Sequence, residues 1–142
     1  MKIEARNPSF AEEVSKSFVA QSIMQVIGAE LTRVEPGVVE ISLPYRKDLT
    51  QQDGFLHAGI ITTIADSAAG YAAFSLMPAG SSVLSVEFKV NLLRPAKGER
   101  FVARAEVIKP GKTLTVVRAD VFGFEGAERT LVATLLGTML RT

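Results

Sequence analysis

The chain has 142 residues, of which 47% are hydrophobic and 22% charged, and a formal net charge of +1. That is the composition of one ordinary globular domain spanning residues 1–142, and it argues against a disordered chain. Lysine and arginine are scattered singly, which argues against a nucleic-acid partner. With no cysteine there can be no disulfide, thiolate zinc site or cysteine nucleophile, and the single histidine, His57, cannot build a multi-histidine metal site within one chain.

The N-terminal "MKIEARNPSF" lacks the apolar core of a signal peptide, and no apolar run reaches the roughly 18 residues that a membrane span requires. The expectation is a cytoplasmic protein without a membrane partner. A helix is predicted over about residues 8–27. Asn7 or Ser9 can cap it, Pro8 suits its first turn, Glu12 follows Ser9 at capping-box spacing, and Gly28 stops it. "AELTRV" and "VVEISLP" then flank the turn "EPG" as two short strands.

The polar loop "YRKDLTQQDG" leads into a second helix over about residues 57–76, closed by "MPAG". Four strands follow, separated by "PAKGE", "KPGKT" and "GFEGAER". In the first of them Leu84, Val86, Phe88, Val90 and Leu92 alternate with Ser85, Glu87, Lys89 and Asn91, the period of a sheet with one covered face. The helix at 57–76 is apolar on nearly every side, so it belongs in a core. The fold class is therefore α+β: an antiparallel sheet of about six strands wrapped around a central apolar helix.

One carboxylate, Asp66, sits in the middle of that helix. On a helical wheel Gly59, Thr62, Thr63, Ala69, Gly70 and Ala73 fall within about 60° of it, while Ile61, Ile64, Ala68 and Tyr71 lie near the opposite side. The bulky face is expected against the sheet, and the small face leaves room for something to approach the acid. A lone buried carboxylate costs several kcal/mol, on the order of the penalty for any unpaired buried ion. No lysine or arginine stands three or four residues away, so a structural partner would have to come from a strand. Gly70 disfavours that bland reading, because a glycine inside a helix costs about 1 kcal/mol against alanine. His57 and Asp66 are nine residues apart, which on one helix sets them about 180° apart and roughly 13 Å along the axis. If both ends of the helix serve one reaction, a second copy of the chain must supply one of them.

The segment "HAGIITTIAD" resembles the histidine-glycine-glycine to aspartate stretch of hotdog-fold acyl-CoA thioesterases, in particular the phenylacetate-degradation type. The similarity runs through "SVEFKVNLLRPAKGE" and "IKPGKTLTVVRADVF", over roughly residues 35 to 140. It implies a hotdog fold and hydrolysis of a small-to-medium or aryl acyl-CoA, without cofactor or metal, by a homodimer or a dimer of dimers. By position, Asp66 matches the acid that acts as nucleophile or general base. Ala58, beside His57, matches the residue whose backbone N–H polarises the thioester carbonyl from the partner subunit. Gln51 matches the amide that orients water or substrate, and Ser85 a polar residue near the acid. Gly59, Arg94, Lys112 and Thr113 are implied as substrate contacts, the last two at the nucleotide end of CoA.

Two positions depart from the family pattern. Ala58 replaces its first glycine, which keeps the N–H but adds a methyl group. Simple alternation would also set Ser85 on the same strand face as Glu87 and Lys89, so it meets Asp66 only if a bulge turns it.

The residue set is sufficient for the chemistry. A thioester is already activated, so one carboxylate can attack it or deprotonate a water, provided a donor receives the charge that grows on oxygen. The alternatives are a non-catalytic acyl-CoA-binding hotdog protein, and a hydratase or dehydratase on the same fold. The latter needs a matched acid–histidine pair that these residues do not supply.

Overall fold

The computed structural model describes residues 3–142. Two short helices, α1 (Phe10–Ala20) and α2 (Ser22–Ile27), precede two strands, β1 (Glu30–Glu35) and β2 (Val38–Pro44). After a 3-10 turn at Lys47–Leu49 come the long helix α3 (Ala58–Phe74) and four strands. These are β3 (Val83–Leu92), β4 (Arg100–Lys109), β5 (Leu114–Glu125) and β6 (Glu128–Arg141). The six strands form one antiparallel sheet in the order β1-β2-β4-β5-β6-β3.

The sheet wraps α3 as the residue pattern requires. Ile61, Ile64, Ala65, Ala68 and Ala72 of the helix are buried together with Phe101, Ala103, Ala105, Val117, Ala119 and Val121 of β4 and β5. Burying each large side chain in that set stabilises the fold by about 1.5–3 kcal/mol. Alanines on both surfaces let helix and sheet approach closely. At the end of α3 the buried Ser75 hydroxyl donates to Ala72 O (2.6 Å) and accepts from Gly37 N (2.8 Å). That pair pins the turn between β1 and β2, where Gly37 has φ +77°, to the helix.

Two expectations need correcting. The single N-terminal helix is two, broken at Gln21, whose φ −80° and ψ 96° are extended. On one straight helix Ile27 would point about 140° away from Val14. The break rephases the chain, so that Val14 and then Met24 and Ile27 all reach the core. Nor does Ser9 form a capping box. It occupies the N-cap position without a side-chain bond, while Asn7 Oδ1 accepts from Ser9 N at 2.9 Å and Glu12 lies 3.8 Å from Lys16.

β3 is an edge of the sheet, bonded only to β6. Its pairing slips between Ser85 and Glu87, leaving Val86 as an extra residue. Ser85 stands opposite the buried Met139, and beyond the slip Phe88, Val90 and Leu92 stand opposite Gly137, Leu135 and Ala133, all buried toward α3. The bulge therefore puts Ser85 on the same face as the apolar residues that follow it. Even so, Phe88 and Leu92 remain 41% and 55% exposed, at the open edge of the sheet.

Candidate active site

The small face of α3 carries Asp66, half-buried, with Ser85 Oγ donating to its Oδ1 at 2.6 Å. The Met139 sulfur also lies 3.3 Å from Ser85 Oγ, whose single hydrogen goes to Asp66. Among the described residues no lysine or arginine pairs with Asp66. The acid faces a cleft of about 540 Å³ bounded by the end of α1 and the break after it on one side (Ser17, Ala20, Gln21) and by the start of β3 on the other (Val83, Leu84, Ser85). Gly70 and Tyr71 line it as well, and a methyl group placed on Gly70 would meet no atom within 4 Å. The small-residue face is open at Gly70, whereas Ala69 and Ala73 on the same face are fully buried, so the room beside the acid is confined to that position.

Tyr71 lies against α1 rather than the sheet. Its ring centroid is 6.2 Å from that of Phe18, and its hydroxyl accepts from Ser17 Oγ (3.2 Å) and donates to Gln21 Oε1 (3.3 Å). Burial pushes the Tyr71 phenol above its ordinary range, partly offset by the Ser17 bond, so it stays neutral.

A second cleft, of about 420 Å³, lies at the other end of α3 and brings together Gln51, Ala58 and Arg94 with Ile61, Leu92 and Leu93. His57 is the N-cap of the helix, and its Nδ1 accepts from Gly59 N at 2.8 Å. Ile60 N and Ile61 N bond to His57 O. Of the first-turn donors this leaves Ala58 N–H, to which no acceptor is bonded among the described residues. It is a helix N-terminal donor at the electropositive end of the dipole.

Gln51 Oε1 accepts from Asp53 N (2.6 Å) and Phe55 N (3.3 Å), fixing the turn before the helix and leaving the Nε2 end to donate. Arg94 Nη1 donates to Leu131 O at 3.0 Å.

The structure thus sorts the residues singled out by the sequence into groups. Asp66 and Ser85 meet in the first cleft; Gln51, Ala58 and Arg94 meet in the second. His57 and Gly59 are exposed and bonded to each other, and they contribute by shaping the helix start. A side chain at position 59 would lie 2.9 Å from His57 Nδ1, which explains the glycine. Lys112 lies in a separate cavity of about 170 Å³ with Arg6, Met77 and Arg141, and Thr113 O accepts from Arg141 N on the same hairpin. Neither Lys112 nor Thr113 lines the cleft at Asp66 or the one at Ala58.

Sequence reasoning missed Ser17, Gln21 and Ser67. Gln21 Nε2 donates to Ser67 Oγ at 3.2 Å, so these residues complete the wall beside the acid. Only the break in the N-terminal helix brings Gln21 there, and no glycine or proline marks it. Among the described residues no group of three or more potential ligands is placed to hold a metal ion, and no helix is long and apolar enough to cross a membrane.

The fold agrees with what the chain is similar to. Residues 53–129 match the thioesterase superfamily. A thioesterase family protein from Silicibacter pomeroyi is 52% identical, with a TM-score of 0.92 over 93% of this chain and 97% of that one. Human acyl-coenzyme A thioesterase 13 is 30% identical over 115 residues, 80% of this chain and 81% of its own length. The E. coli PaaI protein from the phenylacetic acid degradation operon has the same fold, with a TM-score of 0.86 at 17% identity over 97% of this chain and 96% of that one. The chain belongs to the thioesterase superfamily and is a hotdog-fold thioester hydrolase.

Proposed function

We propose that this protein hydrolyses an acyl-CoA thioester at sites shared between two copies of the chain, each site pairing Asp66 of one subunit with Ala58 and Gln51 of the other. The observation that carries this reading is the division of the chemistry between two clefts. Asp66 and Ala58 are eight residues apart on one helix, roughly 12 Å, too far to act on one carbonyl. Each cleft, however, is bounded by one end of the edge strand β3: Val83–Ser85 at the acid, Leu92 at the donor.

If β3 pairs antiparallel with its own copy about a two-fold axis near Phe88, the Ser85 end of each strand lies beside the Leu92 end of the other. That pairing brings each acid cleft against the partner's donor cleft. It also satisfies a ten-residue edge and covers the exposed Phe88 and Leu92, two liabilities for a lone chain.

In this site the carbonyl lies between the partner's Ala58 N–H and Gln51 Nε2 on one side and Asp66 on the other. Asp66 attacks the carbonyl carbon or takes a proton from an attacking water, and charge grows on the carbonyl oxygen. The two donors receive that charge; loss of one such donor costs about 3 kcal/mol in comparable sites. Ser85 holds Asp66 in its attacking rotamer. When water attacks, the carbon–sulfur bond breaks, the proton taken up by Asp66 passes to the departing CoA thiolate and the free acid is released. When Asp66 attacks, the thiolate leaves with a proton from solvent, and water then cleaves the aspartyl anhydride to give the free acid and restore the carboxylate. Arg94 is the cation lining the donor cleft, so the phosphate-bearing arm of CoA runs along it, while the acyl group enters the cleft beyond Asp66, which no cation lines.

The test is a thiol-release assay over a panel of small, medium and aryl acyl-CoA esters, with Asp66→Asn alongside. Turnover that falls by about 1,000-fold in the variant supports the assignment. Equal turnover by both proteins would end it.

A further inference from the structure

Beside Asp66 the cleft wall is polar where a hydrocarbon pocket would not be. Ser17, Gln21, Ser67 and Tyr71 form a connected set: Ser17 Oγ donates to Tyr71 OH, Tyr71 OH donates to Gln21 Oε1, and Gln21 Nε2 donates to Ser67 Oγ, at 3.2–3.3 Å. The set is not saturated. A primary amide carries two N–H donors, and the contacts of Gln21 Nε2 use one. Ser17 is exposed at the cleft and keeps acceptor capacity. Gly70 lines the same cleft, with no atom within 4 Å of where its Cβ would stand. A glycine mid-helix lowers stability with no packing reason to offset it here, so the room itself is what the position supplies.

We infer that Gln21 is a specificity-determining residue. It reads a hydroxyl or keto oxygen carried on the acyl group, and Gly70 keeps clear the space through which that group reaches it. The partners of the Gln21 amide, Ser67 and Tyr71, follow Asp66 by one and five residues, about 1.5 to 7.5 Å along the axis, so the oxygen read by Gln21 sits within about six bonds of the thioester carbonyl. The break between α1 and α2 serves this purpose too, because it turns the Gln21 side chain toward α3 instead of along the helix surface. This inference rests on the reading of Asp66 as the acid at the thioester, and it goes further by naming the chemistry of the acyl end.

Heptanoyl-CoA and 6-hydroxyhexanoyl-CoA have the same number of heavy atoms and differ by one methyl against one hydroxyl. The wild-type protein is expected to favour the hydroxylated ester in kcat/KM by about fivefold or more, the worth of one well-placed hydrogen bond. Gln21→Leu should bring that ratio to within about twofold of unity or reverse it. Gly70→Ala should lower kcat/KM for both esters while raising the melting temperature by about 2–4 °C, since it adds helix propensity where nothing is in the way.

Titrating both esters into Asp66→Asn reads the same preference without turnover. If wild type hydrolyses neither ester, the catalytic reading fails, yet this titration still decides the acyl preference. A preference for heptanoyl-CoA overturns the inference, as does a hydroxyl preference that survives in a cooperatively melting Gln21→Leu. Should Gln21→Leu fail to fold, Gly70→Ala decides: unchanged affinity for both esters would mean that no acyl group occupies the room.

Discussion

Ser85 Oγ donates to Asp66 Oδ1 across 2.6 Å, joining the bulged edge strand β3 to the middle of the buried helix α3. The bond has one donor and one acceptor, and Asp66 has no cation beside it among the described residues, so the serine alone fixes which carboxylate oxygen faces the cleft. Ser85→Ala should leave the fold intact, because the side chain is exposed. In steady-state assays kcat should fall about tenfold with KM little changed, the pattern of a group that positions the acid rather than holding substrate. An unchanged kcat would make the bond incidental.

Ala58 is the first residue of α3, and His57 before it has φ −61° and ψ 139°. Proline is tolerated at that helical position, and the extended backbone before it is what proline favours. Ala58→Pro therefore deletes the N–H while keeping the helix. Circular dichroism should be native and turnover lower by about 100-fold or more. Native turnover would remove Ala58 from the oxyanion site.

Mixing the two inactive variants Asp66→Asn and Ala58→Pro tests the shared site directly. In a hybrid dimer one site holds both lesions and the other holds neither. Unfolding and refolding the two together should restore about one quarter of wild-type activity, by random assortment of two-fold dimers. Recovery of nothing, from protein shown to be mixed dimer by light scattering, would place acid and donor in the same chain.

Ser75 makes a stability prediction separate from catalysis. Ser75→Ala strands the buried Gly37 N–H and frees Ala72 O. The loss should be about 1–3 kcal/mol in urea denaturation, with the m-value unchanged.

Much of this architecture is written in local pattern. A helix apolar on all sides must be enclosed, and alternating strands separated by Gly- and Pro-rich turns supply the enclosing sheet. His57 through Asp66 also showed that acid and helix start cannot meet within one chain, since helical rise and rotation are fixed by backbone geometry. The N-terminal helices were less legible. Gln21 carries no local signal for a break, because the break satisfies the demand that Val14, Met24 and Ile27 all reach one core.

The sequence by itself determined the topology class, the isolation of one carboxylate on a face of small residues, and the distance of that carboxylate from the start of its helix. Only the tertiary structure decided which side chains meet that carboxylate. Alternation would have turned Ser85 away with Glu87 and Lys89; the extra residue at Val86 returns it to the α3 side. A strand's period is local, but whether it slips by one residue depends on the strand beside it. Tyr71 and Gln21 likewise become neighbours only when α1 packs on α3, a contact between residues 50 apart in the chain.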